Sequence, residues 1–202
     1  MSVRRCLYGW WLLAVAFTAN AAGDRFESPT AGVAFVKPTS WVFVSAQTNQ
    51  DNRDRVRLDD AELERAIKSQ ANPPLAMVMM HPEPYPDLNP SFQLGFRPLG
   101  PFEGKSPDAI IAALLPTIQS AYSDFEIVEP IRTVTVGGLP AARLGIRYTL
   151  RTTDGAAFPT RSDLIVVPRG KFMFFIGMGR KPDDLDAARM QQAMLDSVEI
   201  QP

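Results

Sequence analysis

The sequence predicts a single α+β domain whose strands pair antiparallel, and three observations lead to this fold class. The 202 residues, 46% of them hydrophobic, fit one buried core. Strand patterns dominate the chain after Asp124, and Asp154-Gly155 between two of them is a hairpin signal. Helical patterns precede and follow this strand-rich segment.

Four short strands are predicted before residue 100. Residues 32–38 and 41–44 are rich in β-branched and aromatic residues, and Pro38-Thr39-Ser40 supplies a turn between them. Residues 75–80 form a continuous apolar run, which predicts a buried strand. Residues 91–98 are the next strand candidate.

Three helices are predicted. Residues 59–70 have a helical composition with one apolar face. Ser106-Pro107-Asp108 is a strong helix start, because serine can cap the free amides, proline is tolerated at the first helical position and the acid suits the positive helix end. Pro116 lies inside the apolar stripe that follows and should kink this helix. The last helix follows Pro182, with apolar residues at helical spacing at Ala187, Met190, Met194 and Val198.

The remaining strands lie after Asp124. Residues 125–136 lead to a turn at Gly137-Gly138, and residues 140–151 then alternate apolar and arginine side chains. A return strand runs to about residue 167. Residues 171–176 are apolar on both faces, which predicts a central strand.

The hairpin register can be predicted from face consistency. A two-residue loop at Asp154-Gly155 would mix polar and apolar faces. A three-residue loop from Asp154 to Ala156 keeps them consistent, with Arg147 opposite Asp163 and Ile146 opposite Leu164. We therefore expect the longer turn with a glycine bulge.

Two segments lack such patterns. Residues 23–30 are expected to be a mobile leader, so that the folded domain spans residues 31–202. Residues 47–57 are polar and charged and predict a surface loop.

The first 22 residues predict a cleavable secretory signal. Arg4 and Arg5 precede the uncharged apolar run from Leu7 to Phe17, and Ala19-Asn20-Ala21 has the small-x-small pattern that signal peptidase requires. Cleavage is expected after Ala21 or Ala22, with a periplasmic or secreted product. An uncleaved anchor is the alternative, although the apolar run is shorter than a membrane span. Export by the general route or by the twin-arginine route stays open.

Composition excludes several classes of function for the exported chain. Cys6 is the only cysteine and lies in the segment to be removed, so thiol catalysis and thiolate metal sites are excluded. Without Arg4 and Arg5, 19 basic residues face 22 acidic ones, a formal charge of −3. Nucleic-acid binding is therefore not expected. The sequence has no cofactor-binding or catalytic motif.

The order of elements resembles that of the PsbP-like family. The strand Val33–Pro38 followed by the Trp41-led strand resembles the opening of the family, and Val136-Gly137-Gly138-Leu139-Pro140-Ala141 resembles its middle turn. This resemblance covers residues 31–200 and implies a twisted antiparallel sheet with helices packed on both faces, an α/β/α sandwich. The fold includes DcrB-like bacterial envelope proteins, most members act as binding or assembly factors, and no catalytic residue is carried over.

One candidate site is the proline-rich loop that begins at His81, the only histidine. His81, Glu83 and Asp87 could form a metal or acid–base site, with Tyr85 in the same loop, and the intervening prolines would stiffen it. A hairpin connection whose prolines discourage edge pairing is the alternative, because the spacing matches no recognised metal site.

A second candidate is an arginine face. Arg143, Arg147 and Arg151 share one strand face, and Arg161 can join them from the return strand. This face could dock an anionic ligand, a lipid headgroup or an acidic partner. The alternatives are a solvated face paired with Asp163 and nearby acids, or a face that is partly covered by a helix.

These features lead to a non-catalytic binding or assembly protein of the cell envelope, whose partner is an unknown envelope protein or small ligand. The first alternative is an envelope hydrolase that uses His81 with Glu83 or Asp87. The second is a small-molecule or lipid carrier, which requires an apolar cavity between sheet and helix.

Overall fold

A computed structural model describes residues 23–68 and 73–201. The predicted signal peptide and its cleavage positions Ala21 and Ala22 lie outside the described residues. No helix within these two ranges is long and apolar enough to cross a membrane.

The described residues form ten strands and four helices. The strands are β1 (Arg25–Ser28), β2 (Val33–Val36), β3 (Val42–Phe43), β4 (Ala76–Met79), β5 (Ser91–Pro98), β6 (Ser123–Val136), β7 (Leu139–Arg151), β8 (Ala157–Arg169), β9 (Phe172–Arg180) and β10 (Glu199–Ile200). The helices are α1 (Ala46–Arg55), α2 (Ala61–Lys68), α3 (Pro107–Ala121) and α4 (Leu185–Asp196).

Seven strands build the main sheet in the order β3-β4-β5-β9-β8-β7-β6, and every pair is antiparallel. The α+β class and the antiparallel sheet are therefore confirmed. β9 lies at the centre, as its apolar residues on both faces predict. β5 begins and ends at the predicted residues, and Ser106 stands at the N-cap of α3, although its side chain makes no capping hydrogen bond.

The first face of the sheet packs against α4 and the small sheet. Alternate residues of the central strands point to this side, where Phe92, Phe174 and Ile176 have no exposed surface. Trp41 is also buried here, and its indole N–H donates to the sulfur of Met190 at 3.0 Å.

The second face packs against α3. Leu144, Ile146 and Tyr148, the apolar face predicted for β7, contact Ile110 and Ile111 of that helix. Helices thus cover both faces of the sheet, as the fold resemblance implies.

The leader and domain start predicted for residues 23–30 are wrong, because these residues contain β1. β1 pairs with β2, and β2 pairs with β10, so a small three-stranded sheet joins both ends of the described chain. Phe26 is buried against Phe35 with ring centroids 5.3 Å apart, and this contact holds the first strand on the core.

The surface loop predicted for residues 47–57 is also wrong, because most of it forms α1. Ser45 caps this helix by accepting a hydrogen bond from the Thr48 N–H at 3.0 Å. α1 shows no apolar periodicity, and its buried side chains are Asn49 and Arg53.

The predicted hairpin register is wrong by two residues. Arg147 lies opposite Arg161, and Ile146 lies opposite Ser162. Thr152 donates its N–H to the carbonyl of Ala156 at 2.9 Å, so the chain turns one residue earlier than predicted. Gly155 has a φ of 87°, which glycine adopts without strain.

Candidate functional site

The loop that begins at His81 is held together by its own side chains. Asn89 accepts from the His81 N–H at 3.1 Å and donates to Oε1 of Glu83 at 2.8 Å, while Oε2 of Glu83 accepts from the Tyr85 N–H. The His81 ring stacks on Tyr85, with centroids 4.3 Å apart. Asp87 instead pairs with Lys181, and this ammonium holds the pKa of Asp87 below its usual value. Both carboxylates are therefore used in contacts other than with His81.

The exposed part of the predicted arginine face consists of ion pairs with the edge strand. Arg147 pairs with Glu126, and Arg151 pairs with Asp124 at 2.9 Å. All four side chains are about half exposed, so water screens these pairs.

The inner part of the arginine face surrounds one buried carboxylate. Asp163 has no exposed surface and accepts from Arg180 at 2.7 Å, and it lies 3.2 Å from both Arg143 and Arg161. Arg180 also donates to Gln191 of α4 at 3.0 Å, which ties the cluster to the helix. Of the four predicted arginines, the structure thus brings Arg143 and Arg161 together.

Opposing effects set the pKa of Asp163. Burial acts to raise this pKa, but the hydrogen bond from Arg180 and the charges of Arg143 and Arg161 outweigh it and hold the pKa below its usual value. Gly145 makes room for this arrangement, since a Cβ there would lie 2.5 Å from Nη2 of Arg161. The cluster is therefore a fixed ionised network inside the fold.

A cavity of about 470 Å³ lies on the second face of the sheet. α1, α2 and the C-terminal end of α3 supply its other walls. Its apolar lining comes from Val56, Ile67, Met77, Met79, Leu164 and Phe175. This volume is in the range of small-molecule sites.

Glycines in β9 form part of the floor of the cavity. A Cβ built on Gly177 meets no heavy atom within 4 Å, so this position of a central strand opens into space. Glycine inside a strand costs about 0.5–1 kcal/mol relative to alanine. It often marks a place where a ligand approaches the backbone.

α1 presents a polar face to this cavity. Asn49, Asn52, Arg53 and Val56 line it, at the i, i+3, i+4, i+7 spacing of one helix face. Three of these four positions are polar, whereas a helix that packs on a sheet usually places apolar residues there.

Arg53 is the unusual member of this face, because only 9% of its surface is exposed. Its Nη2 donates to the side-chain oxygen of Gln50. Within the described ranges, its Nε and Nη1 have no hydrogen-bond partner and no carboxylate oxygen lies within 4.0 Å. Nδ2 of Asn52 is likewise buried without a partner among the described residues.

Two tyrosines close the cavity near α3. Tyr122 stacks on Tyr148 with centroids 4.0 Å apart, and the hydroxyl of Tyr148 lies 3.1 Å from that of Ser162. Burial raises the pKa of both tyrosines, so both stay protonated at neutral pH. Among the described residues that line the cavity, Arg53 is therefore the one charged side chain.

Sequence reasoning missed this site because it takes apolar periodicity as the sign of a packed helix. The available signal was the Ser45 cap followed by polar residues at helical spacing. Among the described residues, no group of three or more His, Cys, Asp or Glu side chains could hold a metal ion.

Comparisons with known proteins identify the fold. No family model and no curated protein matches the sequence. LpqN of Mycobacterium tuberculosis, which is involved in cell envelope biogenesis, has a similar structure at 14% identity, with 84% of this chain and 83% of LpqN covered and a TM-score of 0.51. Cyanobacterial PsbP (CyanoP) from Synechocystis sp. PCC 6803 matches at 13% identity, with 88% and 91% covered and a TM-score of 0.51.

The Saccharomyces cerevisiae Ran-binding protein Mog1p matches at 9% identity, with 87% of this chain and 94% of Mog1p covered and a TM-score of 0.49. The PsbP-like fold implied by the order of elements is confirmed by the likeness to LpqN and CyanoP. At these identities the likeness establishes the fold and leaves the function to the site.

Proposed function

We propose that the protein is an exported, non-catalytic binding protein of the cell envelope that holds a small molecule in the cavity beneath α1. One observation carries this proposal: the cavity lies between a polar helix face and a sheet floor that is open at Gly177, where apolar side chains alternate with Ser91, Gln93 and Ser162. Apolar surface combined with placed polar groups is typical of small-molecule sites.

The location in the envelope is supported by two separate features. The first 22 residues have the pattern of an export signal. The chain also shares its fold with LpqN, a protein involved in cell envelope biogenesis. Fractionation of cells that express the full chain tests this part, and recovery of the full-length protein in the cytoplasm would contradict it.

Native mass spectrometry tests the binding function. The full chain is expressed, purified and measured before and after incubation with envelope extract. The expected result is a mass above that of the polypeptide, and treatment with organic solvent should remove this added mass. Gly177→Leu is the matched variant, because its side chain would enter the cavity from a strand position without positive φ.

The two outcomes separate the candidate functions. Loss of the added mass in Gly177→Leu, with unchanged folding, supports a ligand in the cavity. An added mass that persists in this variant, or an associated protein that does not depend on residue 177, contradicts the cavity and supports a surface-docking function.

A further inference from the structure

We propose that the ligand of this cavity carries a carboxylate or phosphate group, bound by Arg53, on an apolar body that lies over Gly177. The inference rests on the proposed binding function and adds the chemical class of the ligand. Three features of the cavity carry it: a buried cation without a counter-ion among the described residues, a set of buried donors without partners there, and a floor with open apolar surface.

The cation is the first feature. A guanidinium keeps its charge at all physiological pH values, so Arg53 cannot escape its burial by losing a proton. A buried charge without a counter-ion is strongly unfavourable, and buried charges in proteins are normally paired. Within the described ranges, no carboxylate oxygen lies within 4.0 Å of Arg53. An anionic ligand would supply the missing counter-ion.

The carboxylates of α1 itself are engaged elsewhere. Asp51 accepts from the amide of Gln47 at 2.7 Å, and Asp54 accepts from the amide of Gln50 at 2.9 Å. The oxygen of the same Gln50 accepts from Arg53. Gln50 therefore lies between Arg53 and Asp54, and two guanidinium nitrogens remain without a partner among the described residues.

The donors are the second feature. On this helix face, the atoms without a partner in the described part of the chain are Nε and Nη1 of Arg53 and Nδ2 of Asn52, and all of them are N–H donors. A group of donors is satisfied by a ligand that only accepts. Carboxylate and phosphate oxygens are such acceptors, and guanidinium binds both through charge-assisted hydrogen bonds.

The third feature is the apolar surface of the cavity floor. This surface indicates that the ligand is larger than a bare inorganic anion. Met77, Phe175 and the open backbone of Gly177 face the same cavity of about 470 Å³. A free phosphate would contact the donors and leave this apolar surface wet. An amphiphile with one anionic end can contact the donors of the helix face and also cover the apolar surface of the floor.

The test uses decanoate as the probe, with decyl phosphate as the phosphate counterpart and decanol as the uncharged control, all below their micelle concentrations. Affinities are measured by isothermal titration for the wild type, Arg53→Gln and Arg55→Gln. Arg55 is an exposed arginine on the same helix, so its variant makes the same charge change outside the buried position.

We expect the wild type to bind at least one anionic probe more tightly than decanol. Arg53→Gln should lose about 10- to 100-fold in affinity for that probe, the range of a charge-assisted hydrogen bond, and keep its affinity for decanol. Arg55→Gln should behave as the wild type. Tighter binding of decanoate or of decyl phosphate decides between a carboxylate and a phosphate ligand.

The failures of the two proposals can be told apart. Equal affinity for decanoate, decyl phosphate and decanol, unchanged by Arg53→Gln but lost in Gly177→Leu, would overturn the anionic class and leave the cavity function standing. Absence of binding by all three probes, together with no added mass in native mass spectrometry, would overturn both.

The stability of the ligand-free protein gives an independent readout. Arg53→Gln removes a buried charge that has no counter-ion among the described residues. Residues that are kept for function often lower the stability of the fold. The urea midpoint of unfolding of this variant should therefore be equal to or higher than that of the wild type. A lower midpoint combined with unchanged binding would assign Arg53 a structural role and overturn the proposal.

Discussion

Replacing Asp163 by asparagine should lower the free energy of unfolding much more than neutralising an exposed charged residue does. The side chain keeps its shape but loses its charge, and Arg143, Arg161 and Arg180 then lose the buried carboxylate that they share. Asp163 has no exposed surface, so water does not replace it. Removing one partner of a buried ion pair costs about 3–5 kcal/mol.

This cost converts into a large thermal shift. For a domain of this size, 1 kcal/mol lowers the melting temperature by roughly 2–4 °C, so Asp163→Asn should melt roughly 6–20 °C below the wild type. Glu126→Gln is the control, because its pair with Arg147 is half exposed and contributes at most about 1 kcal/mol.

Trp41 provides the assay for this shift. The other tryptophans, Trp10 and Trp11, lie in the predicted signal peptide, and Trp41 is 1% exposed. Its fluorescence should shift to the red when the core opens. A melting difference of less than 2 °C between Asp163→Asn and the wild type would refute the argument that this network is buried and paired.

The pH dependence of the same difference follows from the pKa of Asp163. The folded-state pKa lies below the usual value, so the carboxylate stabilises the fold fully above the unfolded pKa of about 3.9. This stabilisation is lost as the pH falls through the folded-state pKa. The gap in melting temperature between wild type and Asp163→Asn should therefore persist at pH 5–8 and narrow below about pH 4. A gap that widens in acid would contradict the direction of the shift.

Three further predictions concern local structure. Pro116 is exposed inside α3 and supplies no N–H, so Pro116→Ala should stabilise the protein by about 1–3 kcal/mol in urea unfolding, and a loss of stability would show that the proline is needed for packing. Asp184 caps α4 by accepting from the Ala187 N–H at 2.8 Å; Asp184→Ala should cost about 1 kcal/mol, whereas Asp183→Ala, without a capping contact, should cost less than half of that. Phe92 has no exposed surface, so Phe92→Ala should cost about 3–5 kcal/mol, and a cost below 1 kcal/mol would mean that the surrounding core collapses into the space.

The helices and strands that pack on the core through apolar side chains could be predicted from the sequence. The alternation of β7 predicts that Leu144 and Ile146 lie in the core, and Ser106-Pro107-Asp108 predicts the start of α3. In both cases the residue pattern and the burial follow the same periodicity, so local reasoning is sufficient.

Pairings between distant segments could not be predicted in this way. Alternation fixes which face a side chain takes, but two registers that differ by two residues keep the same faces, and the hairpin adopted the register in which Arg147 lies opposite Arg161. β10 has two residues, too few for any pattern, and it is a strand only because β2 lies beside it.

The candidate site was hidden for a related reason. Its helix face carries Asn49, Asn52 and Arg53, and hydrophobic periodicity interprets such residues as solvated. The cavity between this helix face and the sheet at Gly177 depends on contacts between distant segments, which local periodicity does not contain. Polar side chains on a helix face that lies over a sheet depart from the pattern of packed helices, so hydrophobic periodicity does not predict them.

The small sheet on the first face has a consequence for how the molecule is made. Arg25 of β1 pairs with Glu199 of β10 at 2.8 Å, a contact between residues 174 positions apart in the chain. Contacts of such long range form slowly, because the intervening chain must first be ordered. Completion of the core on the first face of the sheet therefore waits for β10. A polypeptide that is still being synthesised is thereby kept from its final packing until Glu199 and Ile200 of β10 have been made.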